Sequence, residues 1–123
     1  MKFWNTENRI EPKKEFYSKI KEYFIGISNS QVPTDLLNEI ILIVTDQIYS
    51  DYERFWKQYP KSRKRYSTLK IDDIKHPFIH FMVSNFLNEK AISKSREYSK
   101  ILFSMNDEEY DKHLDYKEWY ETK

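Results

Sequence analysis

Apolar residues recur at intervals of three and four positions through most of the chain, which is the spacing of one face of an α-helix. The clearest case spans residues 33–59, where apolar side chains keep this spacing from Leu37 to Tyr59 and Pro60 then stops the helix. Such a helix would be about 40 Å long, whereas a compact domain of this size is about 35 Å across. We therefore expect either that the helix bends or that its far end projects from the domain.

A first helix is predicted to begin at Pro12, since proline suits the opening turn of a helix. Phe16, Ile20 and Phe24 follow at intervals of four residues and form the apolar face of this helix. Gly26 and the polar residues that come after it predict the end of the helix.

The second half of the chain predicts a short helical turn at residues 71–74 and two further helices. Residues 78–105 form a third long segment, whose polar middle at 88–96 is the place where a break would fall. The apolar face of its first half is formed by Phe78, Phe81, Met82, Asn85 and Phe86. Asn106, followed by three acidic residues, predicts the N-terminal cap of an acidic last helix.

No segment predicts a β-strand, so the expected fold class is all-α. We predict a single helical domain over residues 1–123, built as a bundle of about four helices. Two of these helices are long, at about 33–59 and 78–105, and the C-terminal helix is acidic.

The composition excludes several classes of function, because the residue types that they require are scarce or absent. The chain has one glycine and no cysteine. Phosphate-binding loops, dinucleotide-binding turns and nucleophile elbows need glycines, and thiolate chemistry needs cysteine. We therefore expect a non-enzymatic protein without a cofactor. The lack of a long apolar segment and of a signal-peptide core predicts a cytoplasmic protein that does not enter a membrane.

Charge is unevenly distributed, although the formal net charge is only +1. Residues 57–70 contain six bases and no acid, whereas residues 106–123 contain seven acids and three bases. Segregated charge of this kind is typical of a protein that contacts another macromolecule or a second copy of itself.

The basic stretch is a candidate binding surface because it interleaves cations with aromatic rings. Arginine binds phosphate through two parallel hydrogen bonds, and tyrosine stacks on exposed bases. The residues that would contact nucleic acid or an acidic partner are Lys61, Arg63, Lys64, Arg65 and Tyr66. The stretch also fits a solvated loop or a segment that docks on the acidic helix, and the low net charge counts against nucleic acid.

The acidic C-terminal helix is the first candidate for a contact surface with a protein partner. Its aromatic residues are spread over several faces of the predicted helix, whereas packing on the core would need only one. Tyrosine and tryptophan are also enriched where proteins bind one another. The residues predicted to contact the partner are Glu108, Glu109, Asp111, Tyr116, Trp119 and Tyr120.

A possible metal cluster consists of Asp73, His76 and His80, which would share one face if residues 73–80 were a single helix. Imidazoles four residues apart can bind one metal ion, so this cluster supports the alternative of a metal-dependent enzyme. Pro77 argues against the cluster, because the residue before a proline is displaced from helical geometry. We therefore expect no metal, with His76 in a capping turn and His80 as an ordinary helix residue.

These observations together predict a non-catalytic protein-interaction module. Its most concrete form is a small inhibitor, immunity or accessory protein of bacterial or phage origin that binds and occludes a macromolecular partner. The expected partner is another protein. Nucleic acid bound by residues 57–70 is the alternative, and a homo-oligomer would also fit the charge pattern.

Overall fold

The structure is a computed structural model that describes residues 9–112, and within this range the chain forms helices but no β-strand. The predicted fold class, an all-α helical bundle, is confirmed. The helices are α1 (Lys13–Ser28), α2 (Thr34–Gln58), α3 (Ile71–Ile74), α4 (Pro77–Lys90) and α5 (Ser95–Leu102), with a 3₁₀ turn at Pro60–Ser62. A last helix, α6, begins at residue 107 and is described as far as residue 112.

Helix α1 passes through Gly26 and ends at Ser28, within the polar run that the sequence predicted to close it together with Gly26. Its end is set by Asn29, which adopts the left-handed conformation with φ of 46°. The backbone N–H of Asn29 donates a hydrogen bond to the carbonyl oxygen of Ile25, as expected for a residue that closes a helix. Asparagine adopts this conformation more readily than most residues, so Asn29, and not Gly26, closes the helix.

Gly26 therefore lies inside a helix, at a position with no need for glycine. A β-carbon added there would meet no atom within 4 Å. Glycine in a helix interior costs about 0.5–1 kcal/mol relative to alanine. We expect Gly26→Ala to raise the free energy of unfolding in urea by about this amount. A decrease would mean that this turn of α1 requires glycine after all.

Helices α1 and α2 pack antiparallel and bury the apolar face predicted for α1 and that predicted for α2 as far as Tyr52, whereas Tyr59 is exposed. Lys13 at the start of α1 pairs with Asp46 of α2 at 2.7 Å, and Phe16 lies edge-on to Tyr49 and Tyr52, with ring centroids 5.1 and 4.9 Å away. The buried side chains that these two helices contribute to the core are Phe16, Ile20, Phe24, Leu37, Ile40, Ile41, Val44, Ile48 and Tyr52.

The third long segment predicted at residues 78–105 is two helices rather than one. The chain leaves α4 at Lys90 and enters α5 at Ser95, so the break falls in the polar middle that the sequence singled out. The two helices fold back on each other, and the hydroxyl oxygens of Ser84 and Ser99 lie 3.4 Å apart in their buried contact.

The buried face of α4 differs from the predicted one. Its core-facing side chains are Ile79, Val83 and Leu87, whereas the predicted Phe81 and Phe86 are only half-buried. Apolar residues surround much of α4, so periodicity alone does not distinguish the side that faces the core from its flanks. The aromatic side chains flank the core instead of filling it.

The α4–α5 pair packs against the α1–α2 pair, with α4 on α2 and α5 on α1. One contact between the pairs joins Phe24 of α1 to Phe103 at the end of α5, with ring centroids 6.0 Å apart. Over residues 9–112, none of these helices combines the length and the apolar composition that crossing a bilayer requires.

Candidate binding site

The connection between α2 and α3, residues 59–70, carries the basic stretch and folds back on the end of α2. Tyr66 stacks on Phe55, with ring centroids 5.1 Å apart and an interplanar angle of 17°, and meets Tyr52 edge-on at 5.7 Å. Tyr59 also stacks on Phe55, at 5.5 Å. The end of α2 is thus covered by the connection and does not project on its own.

Residues before α1 anchor this connection. The backbone N–H of Glu11 donates to the carbonyl oxygen of Ser67 at 2.7 Å, and the backbone N–H of Leu69 donates to the Glu11 carboxylate at 3.3 Å. Lys19 of α1 pairs with the same carboxylate at 2.8 Å. Sequence reasoning missed Glu11, because Leu69 lies 58 residues away along the chain and no local pattern links the two.

The hydroxyl of Tyr52 on α2 is a second anchor. It donates a hydrogen bond to the carboxylate of Asp73 and lies 3.3 Å from the carbonyl oxygen of Thr68. Asp73 also accepts a hydrogen bond from the backbone N–H of Lys70 at 3.2 Å, just before α3. Burial of Tyr52, together with its hydrogen bond to a carboxylate, raises the pKa of the hydroxyl above the ordinary tyrosine value.

This raised pKa predicts a loss of stability in alkali. Above the ordinary tyrosine pKa of about 10, Tyr52 ionises in the unfolded chain but keeps its proton in the folded one. The unfolded state then binds fewer protons, so the free energy of unfolding falls as the pH rises. Between about pH 8 and about pH 11, we expect wild type to lose more stability in urea titrations than Tyr52→Phe does.

The matched control for this comparison is Tyr17→Phe on α1. Among residues 9–112, the Tyr17 hydroxyl makes no hydrogen bond, so this substitution removes a tyrosine hydroxyl without removing an anchor of the connection. Equal losses in wild type and Tyr52→Phe would show that the Tyr52 hydroxyl is not the group responsible.

Three arginines lie over three aromatic rings at the end of α2 and in the connection. Each guanidinium carbon is between 5.0 and 5.5 Å from its ring centroid, within the range of a cation–π contact. The pairs are Arg54 with Phe55, Arg63 with Trp56, and Arg65 with Tyr66. Tyr59, which stacks on Phe55, and the neighbouring Lys57 and Lys61 belong to the same surface. We call these residues together the basic aromatic cluster.

The described part of the chain leaves much of the positive charge at this cluster unneutralised. Among residues 9–112, no carboxylate lies within ion-pair distance of Lys57, Lys61 or Arg65. Arg63 has a structural contact as well, because its Nε donates to the carbonyl oxygen of Trp56 at 3.0 Å, near the C-terminal end of α2. This hydrogen bond fixes one guanidinium of the cluster in position.

A cavity of about 750 Å³ opens beside the cluster, between the second half of α2, the connection, α3 and the start of α4. Small-molecule sites commonly have volumes of roughly 300–1,000 Å³. Residues of two separately predicted candidate sites meet in its wall. The basic stretch contributes Arg65 and Tyr66, and the possible metal cluster contributes Asp73 and His76. The other lining residues are Gln47, Ile48, Asp51, Tyr52, Arg54, Phe55, Lys70, Asp72, Phe78 and Ile79.

Two of the three carboxylates in the cavity wall already have partners. Asp51 accepts a hydrogen bond from the Gln47 amide at 3.2 Å and pairs with Arg54 at 3.2 Å. Asp73 is engaged by Tyr52, as described above. The lining side chains whose charge has no partner within residues 9–112 are Arg65, Lys70 and Asp72. Because Asp73 keeps its negative charge, the three bases and three acids of the wall balance, and Arg65 and Lys70 are the bases in it without an ion-pair partner within residues 9–112.

The three residues of the possible metal cluster have separate structural contacts. His76 caps α4, where its Nδ1 accepts a backbone N–H at 3.0 Å, as expected for a residue in a capping turn. His80 packs instead against Phe103, with ring centroids 3.9 Å apart, while Asp73 is bound to Tyr52. In the described part of the chain, no three histidine, aspartate or glutamate side chains are placed to hold a metal ion.

The predicted acidic contact surface lies partly outside the described residues. Glu108, Glu109 and Asp111 belong to the described part of α6, whereas Tyr116, Trp119 and Tyr120 lie outside it. The predicted cap of this helix is confirmed: the backbone N–H of Glu109 donates to Asn106 Oδ1 at 2.8 Å, and the backbone N–H of Asn106 donates to Glu109 Oε1 at 3.0 Å. Glu109 thus has a structural contact of its own.

Acidic residues at the start of α6 pair with bases of α5. Arg96 contacts Asp107 at 3.1 Å and Asp111 at 3.3 Å, and Lys100 contacts Asp107 at 2.7 Å. Hydrogen bonds from Lys100 and Arg96 hold the pKa of Asp107 below its usual range. All these pairs are solvent-exposed and contribute little to stability, but they direct two of the acids toward α5.

Comparison with known proteins gives no relative for this chain. No family model matches the sequence. Neither the curated proteins nor the solved structures contain a match.

Proposed function

We propose that this protein is a non-catalytic binding protein that attaches to an anionic macromolecular partner through the basic aromatic cluster. Attachment of this kind suits a small inhibitor, immunity or accessory protein, which acts by covering a surface of its partner. The contacts would come from the cations Lys61, Arg63 and Arg65 and from the rings of Tyr59 and Tyr66.

The observation that carries the proposal is the placement of Arg63 over the ring of Trp56 and of Arg65 over the ring of Tyr66. A guanidinium that stacks on a ring keeps the N–H groups along its edge available for hydrogen bonds. Those groups fit phosphate and carboxylate oxygens in pairs. Because the ring already restricts the arginine, less conformational entropy is lost when an anion binds.

The composition of the cluster supports the same proposal. Arginine, tyrosine and tryptophan are the residues most enriched at the positions that dominate binding energy in interfaces. Tyr59 presents half of its surface to solvent, at 51% exposure, although it stacks on Phe55. Lys57 and Lys61 add positive charge on the same part of the chain, and none of their charge is cancelled by an ion pair within residues 9–112.

The acidic helix α6 remains a separate prediction as a contact surface for a basic protein. Glu108 supports it, because this side chain is exposed and its pair with Lys112 is a loose one at 3.8 Å. Asp107 and Asp111 support it less, since both already pair with Arg96.

Affinity capture tests the proposed function. The full chain is tagged, exposed to lysate of its source organism, and analysed for bound protein and nucleic acid. The test variant is Lys61→Gln/Arg65→Gln, which removes two cations that make no hydrogen bond within the described residues. The control is Lys14→Gln/Lys90→Gln, which removes the same charge from exposed positions on α1 and α4.

We expect the wild type and the control to retain a partner that the test variant loses. Retention by the test variant at the wild-type level would contradict attachment through the cluster. Thermal melts of all three proteins check that each is folded, so that a loss of the partner is not mistaken for a loss of structure.

A further inference from the structure

The cavity beside the basic aromatic cluster has the composition of a site for a flat, anionic ligand. Its wall includes the rings of Tyr66 and Phe78 and the aliphatic side chains of Ile48 and Ile79. Aromatic and aliphatic walls favour a planar ring, which gains contact area on both faces. Part of the cavity wall is therefore apolar.

The charged side chains in the wall define the other part of the ligand. Arg54 offsets the charge of Asp51, whereas Asp73 keeps its charge and has its oxygens engaged by Tyr52 and by the Lys70 backbone N–H. Arg65 and Lys70 have no charged partner within residues 9–112 and can bind an anionic group. The remaining carboxylate, Asp72, can accept a hydrogen bond from an amino or hydroxyl group of the ligand.

We propose that the cavity binds a nucleoside monophosphate unit, with its base against the aromatic wall and its phosphate on Arg65 and Lys70. The unit combines a planar base, sugar hydroxyls and a phosphate. These parts match, in order, the aromatic rings, the Asp72 carboxylate and the two cations of the wall. The volume of about 750 Å³ accommodates one such unit.

The inference rests on the proposed function, because Arg65 and Tyr66 belong to both the cavity and the basic aromatic cluster. It names the anionic partner as a nucleic acid with an unpaired nucleotide, whose neighbouring phosphates would lie on the cluster. Two sources supply the same chemistry, a nucleotide of a single strand and a free nucleoside monophosphate, and the experiment separates them.

The test measures binding of the full chain to a labelled single strand of about ten nucleotides, to the corresponding blunt duplex, and to adenosine monophosphate, at about 50 mM salt. The cavity-filling variant is Gln47→Trp, since Gln47 lines the cavity from α2. The matched control is Asn38→Trp, an exposed position on the same helix that does not line the cavity. Lys70→Gln is a second variant, which removes one cation without adding bulk.

We expect the single strand to bind at least about tenfold more tightly than the duplex, because only an unpaired base can enter the cavity. Gln47→Trp and Lys70→Gln should each weaken single-strand binding about tenfold, with Asn38→Trp within about twofold of wild type. Saturable binding of adenosine monophosphate that Gln47→Trp abolishes would identify the free nucleotide as a ligand. Binding of the single strand, with no binding of adenosine monophosphate, would identify the strand as the source of the nucleotide.

Single-strand binding that Gln47→Trp leaves unchanged would overturn the cavity site while leaving attachment through the cluster intact. Failure of all three probes to bind would overturn the nucleotide inference. In that case, an acidic protein captured through Lys61 and Arg65 would still support the proposed function, whereas a capture independent of both residues would refute the proposed function as well.

Discussion

Replacing Lys61 and Arg65 by glutamine is expected to weaken binding to the captured partner on the order of 100-fold. Hydrogen bonds to charged groups contribute about 1.5–3 kcal/mol each, so two lost contacts correspond to this factor at the lower end of the range. Both residues are exposed, and neither forms an ion pair within residues 9–112. The dissociation constant, measured by titration of the purified partner, gives the change directly.

Arg63 is left in place in this experiment for a structural reason. Its Nε holds the carbonyl oxygen of Trp56 at the end of α2, so its replacement would change the local fold along with the binding surface. The control Lys14→Gln/Lys90→Gln should stay within about threefold of wild type, because it removes charge that does not belong to the cluster. A comparable loss in the control would show that net charge, and not the cluster, governs the affinity.

Phe16→Ala is expected to lower the free energy of unfolding by about 3–5 kcal/mol, the usual cost of removing a buried aromatic ring. Phe16 is fully buried and lies edge-on to Tyr49 and Tyr52, so the substitution leaves a cavity between α1 and α2. Because a domain of this size has about 5–15 kcal/mol of stability in total, the variant would be close to unfolding. Urea denaturation of purified protein provides the measurement.

The control for Phe16→Ala is Ile25→Ala on the same helix. Ile25 is 47% exposed, and truncation of a surface side chain changes stability by only about 0.5 kcal/mol. A similar cost for both substitutions would contradict the packing of α1 on α2 through Phe16. The result also bears on the binding site, since Phe16 supports Tyr52, whose hydroxyl anchors the connection to α3.

Much of the fold follows from local patterns in the sequence. The spacing of apolar residues and two prolines located α1 and α2 closely, because proline and periodicity act within a few residues of one another. The buried face of α4 could not be predicted in this way. Both Ile79 and Phe81 lie on apolar sides of that helix, and only the position of α2 decides which of them faces the core.

The candidate site was predictable only in part, for a similar reason. The basic run and its tyrosines are visible in the sequence, since charge and residue type are local properties. Its placement is not, because it depends on Glu11 and Tyr52, which bind the connection from distant parts of the chain. The same long-range contacts bring Arg65 and Asp73 into one cavity wall, although the sequence presented them as members of two unrelated sites.

The salt dependence of partner binding tests attachment through the basic aromatic cluster most directly. For a single strand, the slope of log association constant against log salt concentration is about −0.7 per phosphate contact. We expect a negative slope for the wild type, a slope shallower by about 1.4 for Lys61→Gln/Arg65→Gln, and the wild-type slope for Lys14→Gln/Lys90→Gln. Identical slopes for the wild type and for the Lys61→Gln/Arg65→Gln variant would contradict the claim that these cations contact the partner.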